Sequence, residues 1–209
     1  MYKLYFKRLL DIVLCLIVLP VFVLISIPIA ILIKLEDGGP IFYCSERVGR
    51  YKKKFSMYKF RSMIVDAPDI RNKDGSTYNS KGDPRVTKIG KFIRETSLDE
   101  TPQILNVLKG DMSIIGPRPG LVSNLHTYKE DELDKMLVKP GITGYTQAYY
   151  RNGLSMREKR LKDAWYANNV SFVLDLKIFF KTIGTVLKRE GIYTNSVSKI
   201  ESKYSDTNN

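Results

Sequence analysis

The chain is poor in histidine and cysteine. A single imidazole, His126 within SNLHTYKEDE, excludes any site that needs two, and in that polar company it reads as a surface group. Cys15 and Cys44 lie far apart with no C-x-x-C pair, and Cys15 falls inside an apolar run, so neither a disulfide framework nor a zinc site is indicated. The soluble part is therefore expected to be reduced and cytosolic. Acids are in the minority: 22 carboxylates face 34 lysines and arginines, a net charge of +12 that asks for an anionic partner, whether nucleic acid, acidic lipid headgroups or a phosphorylated substrate. No internal repeat is visible, and 209 residues suffice for one ordinary domain and little more.

Charge is missing altogether from Ile12 to Ile33. These 22 residues, IVLCLIVLPVFVLISIPIAILI, would span about 33 Å as a straight helix, enough to cross a bilayer. The run is longer than a signal-peptide core, and no small-residue cleavage pattern precedes LEDGGP. Lys3, Lys7 and Arg8 come before it, and Lys34, Arg47, Arg50 and Lys52 to Lys54 come after it, so both flanks carry the residues that favour the cytoplasmic side. Pro20 near the middle and Pro28 further on each remove a backbone donor, which predicts a bend. Basic ends and a central break suit a segment that dips into the membrane and returns, and a kinked single-span helix accommodates the same residues. Asp11 is placed to pair with Lys7 or Arg8 at headgroup depth.

After the turn signal EDGGP, two β-prone runs, 40–44 and 54–60, read as a hairpin around a basic loop. Residues 66–85 are rich in Asp, Asn, Gly, Ser and Pro and read as a long loop. Helical patterns then dominate: 98–109 with its stripe of Leu98, Leu105 and Leu108, a second helix over 121–138, a third from Ser155 to Asn168, and a last over 171–190. That last helix carries Phe172, Val173, Leu176, Phe179, Phe180, Ile183 and Leu187 on a broad face, read first as covering the core and second as lying in a membrane interface. From Ser196 onward no apolar pattern remains and disorder is expected.

In the stretch TSLDETPQ, two carboxylates stand side by side, Asp99 and Glu100. A capping box with Ser97 as N-cap and Glu100 three residues on would explain them structurally. Pro102 argues instead for a helix that opens at the proline with Thr101 as its cap, leaving the acids free at a helix start. An aspartate can attack phosphorus, but an anion approaching a diphosphate needs positive screening. Mg²⁺ takes carboxylate and phosphate oxygens together, and the guanidinium groups of Arg94 and Arg118, the latter held in the stiff run GPRP, suit phosphate oxygens.

The order of KRLLD, the apolar run with its mid-run proline, GPIFYCSERVG, MYKFRSM, DPRVTKIGKFIRETSLDETPQILNVLKGDMSIIGPRP and KPGITGYTQ resembles the bacterial sugar transferase family, in the minimal form of the small monotopic phosphoglycosyl transferases; the match covers residues 3 to about 190. The resemblance implies an α+β, mostly helical fold. It has an N-terminal re-entrant membrane helix-break-helix over residues 1–36 and a small cytosolic catalytic domain over 37–195, which contains a short β-hairpin and interfacial helices. A disordered tail over 196–209 completes the expected organisation. It implies transfer of sugar 1-phosphate from a UDP-sugar to polyprenyl (undecaprenyl) phosphate at the cytoplasmic face of the bacterial inner membrane, releasing UMP. This would be the first membrane step of capsule, O-antigen, exopolysaccharide or glycoprotein glycan synthesis, handing its product to downstream glycosyltransferases. In this picture Asp99 is the nucleophile that forms a covalent intermediate, and Glu100 helps it hold Mg²⁺. Arg94, Pro117 and Arg118 fall on positions used around phosphate and nucleotide, Lys59 and Arg61 fall on the same basic pocket, and Pro20 is the membrane break. The family often has Ser-Pro at that break, whereas this chain has Leu19-Pro20, with Ser26-Ile27-Pro28 further on. Self-association into a homo-oligomer is left open. A different class of reading, a membrane-anchored basic module that binds acidic lipid or nucleic acid without chemistry, rests on charge alone, and no nucleic-acid motif supports it.

Overall fold

The charge-free run folds as helix. In a computed structural model that describes residues 2–70, 78, 80, 82–150 and 153–187, a π-helical turn, Tyr2–Phe6, leads into α1, Lys7–Asp37. At 31 residues α1 is about 46 Å long if straight. The helix continues through both Pro20 and Pro28, so neither proline interrupts its secondary structure. The Ser26 hydroxyl donates to the Phe22 carbonyl four residues back, at 2.6 Å. It therefore does not serve the carbonyls of Leu16 or Leu24, which lose the proline amides. Gly38, in the left-handed region at φ 71, ends the helix, its amide bonding back to Lys34.

Only Asp11, Cys15, Ile29 and Ile33 of α1 are buried, along one stripe, while leucines and isoleucines such as Leu24, Ile17 and Ile31 face outward. The stripe packs on the rest of the protein along its length: Cys15 with Phe55, Met57, Val107 and Met112, and Ile29 and Ile33 with Phe60 and Ile93. Polar ties fix both ends. Near the start, Arg8 donates to the carbonyls of Val107 and Leu108, Lys7 pairs with Asp175 at 2.6 Å, and the Asp11 carboxylate accepts the Ile114 amide at 3.0 Å. Asp11 is thus buried and bonded to backbone, not paired with Lys7 or Arg8. Near the end, Glu36 accepts the amides of Lys88 and Ile89, and Asp37 pairs with Arg61.

The predicted hairpin is present. β1, Phe42–Val48, runs antiparallel to β2, Lys54–Phe60, and extends further through Glu46 and Arg47 than the sequence suggested. Tyr51 and Lys52 make the turn with positive φ. Residues 71–77, 79 and 81 of the expected loop, residues 188–190 of the last helix and the tail from Ser196 lie outside the described residues. α2, Lys88–Glu95, is capped by the Thr87 hydroxyl; α3, Gln103–Lys109, stops at Gly110 with φ 99. Asn106, fully buried, locks α3 onto β2 by accepting the Tyr58 amide and donating to the Ser56 carbonyl. β3, Ser113–Ile115, leads to β4, Gly120–Leu121, which pairs with β1. β3 itself pairs in parallel with β5, Gly141–Thr143. The two chains meet so closely at Gly116 and Gly141 that a Cβ on either would run into the other's backbone.

The predicted helix over 121–138 is two 3-10 segments instead, Val122–Thr127 and Glu130–Leu137, separated by extended Tyr128 and Lys129. Glu132 pulls the second segment inward, its buried carboxylate bonded to Arg157 and Arg160 of a later helix. α4, Tyr145–Tyr149, is followed by α5, Met156–Asn168, which opens with the Ser155–Glu158 capping box, and by α6, Phe172–Leu187. α6 meets the first expectation only in part: Phe179 packs with Leu174 and Ile178 on the core. Asp175, Ile178 and Thr185 are buried, while Phe172 is 51% exposed, Phe180 63% exposed, and Val173, Leu176 and Ile183 are also turned out. The fold is mostly helical with two small sheets and one long apolar N-terminal helix.

Candidate active site

Between α2 and α3 the chain makes a 3-10 turn, Leu98–Glu100, that carries both acids. Ser97 enters it in the left-handed region, φ 58, and its side chain caps nothing, so the capping-box reading is set aside. Such a conformation is costly for a residue with a Cβ and recurs where a chain is re-aimed at a functional site. Pro102 occupies the N-cap position of α3, one residue before the first helical position that the proline argument gave it. Thr101 is not the cap, because its hydroxyl donates to the Leu98 carbonyl.

The acids share a basic surround. Lys59, on β2, reaches Glu100 Oε1 at 2.6 Å, and Arg118, beyond β3, reaches the same oxygen at 3.3 Å. Arg94, on the last turn of α2, donates from Nε to the Ser62 hydroxyl at 2.8 Å. Burial pushes the Asp99 carboxyl up to about 6; Lys59 pulls it back, the Glu100 charge adds to the push, and Arg94 and Arg118 pull against it. Burial also works against the Glu100 charge, but Lys59 and Arg118 outweigh it and hold Glu100 down to about 2. Two adjacent carboxyls thus have opposite electrostatic fates, one firmly ionised and salt-bridged, the other poised.

Arg61 is elsewhere: buried, it donates to Asp37 at 2.6 Å and to the carbonyls of Pro40 and Met63, joining α1 to the strand end. Pro117 is fully buried and acts through its backbone, its carbonyl accepting the Gly141 amide. Pro20 is exposed on α1. Lys59, Arg94 and Arg118 are therefore brought to the acid pair, while Arg61, Pro117 and Pro20 are not.

A small cleft, of about 20 Å³, opens beside Glu100 and Arg118. It is lined by Arg47, Gln103 and the backbone at Gly141 among others. Sequence reading treated Arg47 only as a flanking charge and passed over Gln103. The strand period and the α3 start contain their placement only once the β1 register and the long-range contact to β5 are known.

The bacterial sugar transferase family model matches residues 2–189. This chain belongs to that family. Among its relatives, an uncharacterized sugar transferase EpsL of Bacillus subtilis is 45% identical over 84% of this chain and 84% of its own length. A UDP-galactose-lipid carrier transferase of Erwinia amylovora is 44% identical over 76% of this chain and 35% of its own. An undecaprenyl-phosphate galactose phosphotransferase of Salmonella typhimurium is 39% identical over 90% of this chain and 42% of its own. The chain thus spans well under half the length of the latter two sugar transferases.

Proposed function

We propose that the protein transfers sugar 1-phosphate from a UDP-sugar to polyprenyl (undecaprenyl) phosphate, giving polyprenyl-diphospho-sugar and UMP. The observation that carries this reading is the poised Asp99 next to the salt-bridged Glu100, with Lys59, Arg94 and Arg118 around them. Membership of the family and relatives named for sugar-lipid transfer support it.

Asp99 supplies the attacking oxygen. Its O–P bond forms as the bond from the sugar-bearing phosphorus to UMP breaks, and an oxygen of the lipid phosphate then displaces Asp99 from the same phosphorus. Arg94 and Arg118 offset the negative charge that gathers on the phosphoryl oxygens. Among the described residues no cluster of three or more metal-ligand side chains forms, so a protein cage is not on offer. Asp99 and Glu100 do fit Mg²⁺, which uses one or two carboxylates and completes its shell with phosphate and water. When bound there it would screen the meeting of carboxylate and diphosphate.

A re-entrant, monotopic seat at the cytoplasmic face of the inner membrane is part of the same proposal. α1 is long and apolar enough to cross a bilayer, yet Arg8 and Asp11 at one end and Glu36 and Asp37 at the other hold the same body. A helix tied at both ends to one body does not suit a span that leaves that body on one side of the membrane. The outward apolar face of α6, joined to the start of α1 through Lys7–Asp175, suits contact with lipid beside the point of entry.

The test is UMP release from a panel of UDP-sugars before any lipid acceptor is added. An amount equal to the enzyme, with an intact-protein mass increase of one sugar phosphate, is expected, and Asp99→Asn should abolish both. Near wild-type turnover by that variant would refute the nucleophile. A binding module without chemistry would show neither signal.

A further inference from the structure

Among the described residues Lys139, half-buried and two positions before β5, makes no hydrogen bond and no salt bridge. Its nearest charged company is cationic. A Cβ placed on Gly110, at the end of α3, would lie 3.6 Å from Arg8 Nη2 and 3.7 Å from Lys139 Nζ, so both charges border one point that a single phosphate group could share. Arg50 comes in from the turn between β1 and β2, its Nε donating to the Leu137 carbonyl at 3.1 Å and its Nη2 to the Tyr51 hydroxyl at 2.6 Å. Arg8 donates to the carbonyls of Val107 and Leu108. These neutral oxygens satisfy N–H groups and leave both guanidinium charges in place.

Two acids stand near, and each is engaged: Asp11 accepts the Ile114 amide at 3.0 Å, and Asp111 faces Lys109 at 3.3 Å. Four cations therefore meet two carboxylates, and positive charge is left over. Burial and the Arg8 charge press the Lys139 ammonium below its ordinary 10.5; Asp11 pulls it back, Arg50 adds to the pressure, and Asp111 pulls back in turn. A bound anion removes the cost of holding such charges together.

The cluster sits at the foot of α1. Arg8 precedes the uncharged run from Ile12 by one turn, and Arg8, Ile12 and Leu16 recur at i, i+4 and i+8, one above another on the same face. Ile12 is half-buried and Leu16 is exposed, so apolar surface leads from the cations to the depth the run would occupy in lipid. A free phosphate would use the charges alone, whereas a phospholipid uses both. The acid pair is a different place: Asp99 and Glu100 precede the first residue of α3 and Gly110 follows its last, which puts about 10 Å of helix between them.

We infer that Arg8, Arg50 and Lys139 hold the headgroup phosphate of one acidic phospholipid whose acyl chains lie along α1 at Ile12 and Leu16. This rests on the membrane seat proposed for α1 and adds a bound lipid to it. The lipid acts as a fixed counter-ion and takes no part in the transfer.

The experiment uses the full chain in uncharged dodecyl maltoside micelles and follows bound lipid by native mass spectrometry, with phosphatidylglycerol and phosphatidylcholine of matched acyl chains as probes. Wild type should retain one phosphatidylglycerol about fivefold more tightly than phosphatidylcholine. Lys139→Met and Arg50→Met should each abolish that preference, Lys139→Arg should keep it, and Lys91→Met, at an exposed lysine of α2, should leave it unchanged. Inorganic phosphate in excess should not displace the lipid. The site is overturned if the preference survives in Lys139→Met, if Lys91→Met lowers it as much, or if inorganic phosphate or an equal amount of short-chain polyprenyl phosphate displaces the phospholipid. Should Lys139→Met fail to fold, as judged by thermal denaturation, Arg50→Met and Lys139→Arg carry the comparison. Wild type that alkaline carbonate strips from membranes refutes the membrane seat and the lipid site together; wild type that stays seated without a headgroup preference refutes the site alone.

Discussion

The buried ammonium of Lys135 donates to the backbone carbonyl of Arg118 at 3.1 Å. It is held there by Asp163 at 3.0 Å, whose other oxygen takes the Thr146 hydroxyl. The arginine that faces the acid pair is thus set in place from behind by a buried ion pair.

Breaking that pair from one side leaves a lone buried charge. Lys135→Met is expected to cost about 3–5 kcal/mol of stability. Lys135→Met with Asp163→Leu should cost less than the single change, because the stranded charge is gone. Chemical denaturation of the two variants checks this; equal losses would mean that the pair is screened by water.

Asn106 predicts a loss of another kind. Asn106→Leu keeps the volume but strands the Tyr58 amide and the Ser56 carbonyl, at a cost of about 2–4 kcal/mol. The same change should slacken β2, which carries Lys59, so UMP release should fall along with the melting temperature.

Acid sensitivity follows from Glu132. Burial opposes its charge, but hydrogen bonds and charge from Arg160, the Lys129 amide and Arg157 hold it below the usual 4.5. A lowered folded value means that its stabilisation is complete above 4.5 and is lost as pH falls through the folded value. Glu132→Gln should therefore be less stable at pH 7 and show a shallower loss of stability between pH 4.5 and lower pH, read from denaturation midpoints across that range.

Topology has its own assay. Single cysteines at exposed Tyr5 and Leu35, in a background with Cys15→Ala and Cys44→Ser, should both react with an impermeant thiol reagent from the cytoplasmic side. Labelling from opposite sides would refute the re-entrant seat.

Much of this was legible in the chain. Two β-prone runs around a basic loop gave the hairpin, Pro102 gave the start of α3 to within one residue, and the helical pattern from Ser155 gave α5, since each is a local signal read over a few residues. Failures occurred where distant contacts decide. The 121–138 segment has helical spacing, but Glu132 answers to Arg157 and Arg160, and that pull replaces the α-helix with two 3-10 segments. For α6 most of the apolar face turns outward and, of its described side chains, Phe179 alone packs on the core, because Asp175 is needed inside by Lys7, Tyr2 and Tyr166. Arg61 looked like Lys59 two residues before it, but it lies just past the end of β2 and is drawn to Asp37 and the Pro40 carbonyl. Gln103 carries no charge and matches no pattern, and only the cleft around it singles it out.

Glu36, one residue from the end of α1, receives the first amides of α2, and the far end of α2 bears Arg94. Trimming the hydrophobic leader to obtain a water-soluble version would remove the brace under that helix as well as the seat in the lipid. Such a fragment would be an enzyme with one wall of its reaction centre unsupported, and detergent-free convenience would come with a mispositioned guanidinium.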